Sequence, residues 1–127
     1  MFSMRKDAPY QIASAVNDGF VEMTLTGEIT NSSTENLMQD LIASDKLLEK
    51  RKQLIDFRQL RGRLGITDTY HFVRRYPVCQ PAMKIAFVDT PDNVEMASFQ
   101  EATALNAGLR FKWFTDIDSA RIWLKNK

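Results

Sequence analysis

Cysteine and histidine are almost absent from this chain: one of each, Cys79 and His71, in 127 residues. That excludes an intrachain disulfide framework and any cysteine/histidine zinc cluster built from one chain. Glycine and proline are sparse, five and four residues, and they are scattered rather than gathered into a linker. No apolar run approaches the roughly 18 residues that would indicate a membrane span. Nor is there an excess of one charge: 17 Lys and Arg face 16 Asp and Glu, a net of +1. A near-neutral chain argues against a dedicated nucleic-acid binder, and no helix-turn-helix or RNA-recognition signature is present. A single unpaired cysteine fits a reducing, cytoplasmic setting.

What is present fits one soluble globular domain. Hydrophobic residues make up 44% and charged residues 26%. A chain of this length buries roughly two thirds of its unfolded surface, so it needs no covalent or metal staple. We expect a short mobile tail over residues 1–9, then a single domain over residues 10–127.

Periodicity predicts the elements. Tyr10–Val16 and Phe20–Gly27 read as strands joined by the hairpin signal Asn17-Asp18-Gly19. In the second, Val21, Met23 and Leu25 alternate with Glu22, Thr24 and Thr26, which predicts one buried face. Ser32 and Glu35 have capping-box spacing, and Leu37, Met38, Leu41, Ile42 and Leu48 follow as a helical stripe. The cations of Glu49-Lys50-Arg51-Lys52 suit that helix's C-terminal dipole. Gln53–Phe57 is a short third strand, followed by a loop from Arg58 to Ile66. Thr67 is expected to cap a second helix ending near Tyr76, before Pro77. Lys84–Asp89 holds the unbroken apolar run of a strand covered on both faces. Pro91 opens a third helix and Gly108 ends it. Leu109–Phe114 is a fifth strand, and Thr115 or Asp116 caps a last helix carrying Ala120, Trp123 and Leu124. The order ββαβαβαβα predicts an α/β fold: a mixed, mostly parallel five-stranded sheet with four helices.

These features together resemble the SpoIIAA-like branch of the STAS fold. The resemblance rests on the hairpin ending in Leu25-Thr26-Gly27, the strand ending Leu54-Ile55-Asp56-Phe57, and the run from Lys84-Ile-Ala-Phe-Val-Asp89 through Phe114-Thr-Asp-Ile-Asp118 to Ala120-Arg-Ile-Trp-Leu124. It implies a non-enzymatic regulatory or protein-interaction module. Anti-sigma-factor antagonists of this kind carry a phosphorylatable serine, in an Asp-Ser-Ser-Gly-like motif, where the third strand leads into the second helix. Here that region contains no serine; Thr67 and Thr69 are its nearest hydroxyls, and neither sits in such a motif. The fold also resembles lipid carriers of the CRAL-TRIO type, which implies an alternative role as carrier or sensor of a small apolar or anionic ligand.

Ligands of open α/β sheets gather at the carboxyl ends of the strands. The segment there is basic: residues 45–75 carry a net +5, against −4 for residues 1–44 and balance beyond. Arg58, Arg61 and Arg63, with Thr67 and Thr69, are the candidate binding residues. Two readings stand side by side. The arginines wait for a phosphate, a carboxylate or an acidic protein surface, or they are paired with Asp56, Asp89 and Asp116 at the same edge. The asymmetry suits an acidic protein partner more than a nucleic-acid backbone.

No catalytic set assembles. Cys79 and His71 lack the spacing of a nucleophile and its base, and Cys79 sits in the stiff connector Pro77-Val-Cys-Gln-Pro81. His71 reads as a surface residue of the second helix. Asp116 and Asp118 read as helix-start acids, with no further ligands at EF-hand spacing. We expect no cofactor and no metal. Met38, Phe72, Tyr76, Met96, Phe99, Trp113, Phe114 and Trp123 read as core, or as the lining of an apolar pocket. The edge strands and any open sheet face offer a homodimer surface.

Overall fold

The computed structural model describes residues 9–17, 19–30, 32–48, 52–75 and 84–126. The tail up to residue 8, the Glu49–Arg51 cations, and Tyr76, Pro77 and Cys79 lie outside the described residues, as do the side chains of Ile42, Leu48 and Phe72.

Five strands form one sheet in the order of the chain: β1 (Tyr10–Asn17), β2 (Phe20–Glu28), β3 (Lys52–Arg61), β4 (Lys84–Val88) and β5 (Arg110–Phe114). β1 runs antiparallel to β2, and β2 through β5 are parallel. The helices are α1 (Thr34–Leu48), α2 (Ile66–Arg75), α3 (Val94–Asn106) and α4 (Ile117–Lys125). This is the predicted element order and fold class.

Alternation along the strands divides the core in two. On one face Ile12, Val21, Met23, Leu25, Ile55, Ile85, Phe87 and Phe111 pack with residues of α1, α2 and α3. On the other, Phe20, Leu54, Ala86 and Val88 pack with Ala120 and Leu124 of α4. β4 touches both cores, which is why all five of its residues are buried. The first core also encloses a polar contact: Tyr10 donates from its hydroxyl to buried Asp40 at 2.5 Å.

Several boundaries differ from expectation for local reasons. Ser33, not Ser32, heads α1: its carbonyl accepts from Leu37 N–H at 3.0 Å, and its Oγ accepts from Thr30 N–H at 2.9 Å. Ser32 Oγ instead meets Thr30 Oγ1. Pro91 opens a single 3-10 turn, Pro91–Asn93, before α3 begins at Val94. Gly108, at φ +83°, follows α3 as expected. Asp116 caps α4 rather than Thr115, accepting from Ser119 N–H at 2.8 Å and from Ser119 Oγ–H at 2.9 Å. Those bonds stabilise its carboxylate and lower its pKa, with the Ser119 amide as the largest cause.

The largest departure is β3, which continues through Arg58 to Arg61 where a loop was predicted. A bulge makes the extension workable. Thr24 pairs with Asp56 but Thr26 pairs with Gln59, so β3 carries one residue more than β2 across that step. The extra residue restores Leu60 to the face of Ile55 and Phe57, in the main core. It also leaves Arg61 opposite Glu28.

Candidate functional site

The carboxyl ends of β2, β3 and β4 bring Glu28, Arg61 and Asp89 to one edge. Gly62 makes the exit from β3. It holds φ +86°, and a Cβ placed there would lie 2.3 Å from the Ile29 carbonyl oxygen. Only glycine satisfies both the backbone angle and that approach. Arg61 C=O accepts from Ile29 N–H at 2.9 Å, fastening the turn. α2 then starts at Ile66, with Gly65 C=O accepting from Thr69 N–H at 2.9 Å. Thr67 therefore lies in the first turn of the helix and does not cap it.

The three arginines have separate fates. Arg58 grips its own strand: Nε and Nη2 donate to the two oxygens of Asp56 at 3.0 and 2.8 Å. Its backbone N–H adds a bond to Asp56 Oδ1. This pairing raises the Arg58 pKa beyond its already high ordinary value.

Arg63 is the most committed. Its Nε and Nη2 donate to Asp89 Oδ2 and Oδ1 at 2.8 and 2.7 Å. Nη1 donates to the carbonyls of Leu60 and Gly62, and Nη2 to that of Phe57. The Arg63 side chain is 12% exposed and Asp89 1%. Asp89 also accepts from Thr90 N–H at 2.8 Å and from Asn93 Nδ2 at 3.1 Å. This cluster ties the β3–α2 turn to the end of β4.

Arg61 differs. Its side chain is 80% exposed and meets Glu28 only at 3.9 Å. Asp116, the third suggested partner, takes the α4 cap instead. The hydroxyls divide in the same way. Thr67 is exposed, while Thr69 is buried with its Oγ1 unpartnered, facing a small apolar cavity. Of the five candidates, Arg61 and Thr67 remain well exposed, and Arg63 and Thr69 are built into the fold.

Two further residues belong to this surface. Ile66 is 66% exposed and Tyr70 48%, one helical turn apart on α2. Arg74, one turn further, places its guanidinium 4.5 Å from the Tyr70 ring centroid, and the His71 ring meets Tyr70 edge-on at 6.0 Å. Thr69 and Val73 occupy the buried side of the same helix. The sequence signal is the i, i+4, i+8 spacing of Ile66, Tyr70 and Arg74; Ile66 lies near the azimuth of buried Val73 but at the first position of the helix, where it is exposed.

The aromatic and methionine set does not line one pocket. Met38 and Trp113 belong to the three-helix core, and Phe114 and Trp123 to the α4 core. The cavity between α2, α3 and the sheet, lined by Ile55, Phe57, Leu64, Thr69, Val73, Gln100 and Phe111, measures about 20 Å³, room for a water molecule rather than a lipid. Among the described residues, no three His, Cys, Asp or Glu side chains are grouped to hold a metal ion, and no helix is long and apolar enough to cross a membrane.

No family model matches the chain, and no curated protein matches it. Solved structures do. An anti-sigma factor antagonist from Mycobacterium paratuberculosis superposes at a TM-score of 0.65 with 16% identity, covering 98% of this chain and 100% of its own. An uncharacterised DUF3478-family protein with a SpoIIAA-like fold, from Shewanella loihica, superposes at 0.58 with 21% identity, covering 96% and 99%. Both matches run the length of the domain and share its layering of helices on a mixed sheet: the chain has a SpoIIAA-like fold.

Proposed function

We propose that this domain is a non-enzymatic regulatory module that binds an acidic protein surface at the carboxyl edge of its sheet. Arg61, Ile66, Thr67 and Tyr70 make the contact, with Arg74 alongside. The observation that carries the reading is the exposed ridge of α2, an aliphatic and an aromatic side chain flanked by arginines. Large apolar residues beside Arg are the usual composition of a binding hot spot. The exposed cations of this surface, Arg61 and Arg74, supply complementarity to an acidic partner. The structural neighbour named as an anti-sigma factor antagonist is a protein that opposes another protein, which supports a protein partner here. The region where β3 leads into α2 carries no serine, and the contact proposed here needs no phosphate on Thr67 or Thr69.

The test is quantitative affinity capture from the source cells. The wild type is compared with Arg61→Glu, with Tyr70→Ala, and with Lys112→Glu on β5 as a control. Partners lost with the first two and retained with the third support the site. Identical recovery from all four chains overturns it.

A second reading has one observation in its favour. A groove of about 360 Å³ runs beside β5, lined by Lys84, Arg110, Lys112, Glu101 and Trp123 among others. Its cations suit a small anionic ligand. Lys84 donates to the carbonyls of Trp123 and Asn126, and burial lowers its pKa from the ordinary 10.5. Native mass spectrometry of freshly purified protein, with a metabolite thermal-shift screen, distinguishes this reading: a clean apo mass and no shift exclude it.

A further inference from the structure

The two edges of the sheet are built differently. β5 is short, carries Arg110 and Lys112, and has its Trp113 N–H occupied by Glu101 Oε2 at 2.8 Å. Charge and a capped amide are the usual defences of an edge strand. β1 has neither. Its eight residues, Tyr-Gln-Ile-Ala-Ser-Ala-Val-Asn, include no charge, proline or glycine. It stands at the end of the sheet, and among the described residues no strand pairs with its outer side.

Its register fixes which groups are left over. Glu28 N–H donates to the Pro9 carbonyl at 3.0 Å, extending the pairing of Tyr10 with Gly27. In an antiparallel ladder the bonded positions alternate. Odd-numbered residues of β1 therefore face β2, and Ile12, Ser14 and Val16 turn their N–H and C=O groups outward. Two side chains on this strand are also unfinished. Ser14 Oγ is buried without a hydrogen-bond partner. Val16 is 54% exposed, although it opposes fully buried Val21.

We propose that β1 pairs antiparallel with β1 of a second copy of this chain, about a two-fold axis at Ser14, joining two five-stranded sheets into one. That register answers each leftover group. It sets Ser14 against Ser14, so that rotation about χ1 lets the hydroxyls bond across the axis. It sets Ile12 against Val16, covering the exposed valine twice. It sets Ala13 against Ala15 on the opposite face, where both are exposed and small. The strand is uncharged, so its own copy brings no like charges into opposition. An isologous contact of this kind closes at two copies. This surface is separate from the α2 ridge, so each proposal can fail without the other.

The test uses two double variants of the full chain. Ala13→Lys with Ala15→Lys places like charges opposite each other at both symmetry-related pairs. Ala13→Lys with Ala15→Glu places opposite charges there. Sedimentation equilibrium at tens of micromolar is expected to show a dimer for the wild type and for the lysine/glutamate variant. The lysine/lysine variant is expected to be a monomer, with dissociation at least tenfold easier. A monomeric wild type, or two variants that associate equally, overturns the proposal. Hydrogen exchange on the wild type gives an independent reading should a variant fail to fold. The amides of Ile12, Ser14 and Val16 are expected to slow as concentration rises, and fast exchange at all concentrations overturns the pairing.

Discussion

Arg61 and Arg63 are two residues apart in the sequence and serve opposite ends. Arg63 is enclosed: Asp89 takes it in two bonds, three carbonyls take the rest, and the Phe57 ring lies 5.9 Å from its guanidinium carbon. Arg61 projects from the last residue of β3 with one loose carboxylate nearby. The same side chain is scaffold in one case and surface in the other. The difference is set by what surrounds each, not by residue type. A basic loop is therefore not one site. Part of its charge is consumed in building the turn, and only the remainder is presented to a partner.

The strongest way to break this contrast is to remove the enclosed cation. Arg63→Ala leaves Asp89 buried and stripped of its ion pair, and is expected to cost about 3–5 kcal/mol. Denaturant melts would show a lower midpoint, and an unchanged midpoint would return Arg63 to the candidate site. The next effect has the opposite sign. Thr69 Oγ1 is buried and unpartnered, so Thr69→Val, similar in shape, is expected to raise stability by about 1 kcal/mol. It should leave partner capture untouched. Arg61→Ala and Tyr70→Ala should shift stability by less than about 0.5 kcal/mol, as exposed substitutions do. Each should weaken partner capture about tenfold, the scale of a modest hot spot.

The smallest effect is expected at acid pH. Asp116 has a folded pKa below its ordinary value of 3.8. Its contribution is therefore present above that value and is lost as pH falls through the folded pKa. Asp116→Asn should flatten the acid limb of a stability–pH curve without moving the neutral plateau. An unchanged limb would assign the acid loss to other carboxylates.

Much of the fold was legible in the sequence because strand and helix periods differ. Val21, Met23 and Leu25 alternate, Lys84–Val88 is apolar throughout, and Pro91 and Gly108 bracket the third helix. The end of β3 was not legible. Its alternation breaks at Arg58 and Gln59, where two polar residues in succession read as loop. In the folded chain Arg58 lies in a bulge and Gln59 just beyond it, and that bulge exists only opposite β2. The site was half legible. Arg58 and Arg63 could be suspected of pairing with Asp56 and Asp89, but Asp89 lies 26 residues beyond Arg63. Chain separation of that size carries no geometric information. Ile66 falls in the predicted loop, and only the docking of α2 through Thr69 and Val73 shows that it and Tyr70 stand exposed.

The bulge also confers a tolerance in length. Offsets between β2 and β3 differ by one residue on its two sides, while the pairs beyond it, Gly27 with Leu60 and Glu28 with Arg61, are regular again. Losing one residue at Gln59 would return the ladder to an unbroken offset and keep those pairs. Losing one between Gln53 and Asp56 would send Leu54 and Ile55 to the wrong faces. The chain thus holds a spare residue at Phe57–Arg58, three positions before Arg61, where the length of the strand can change without the core being rebuilt.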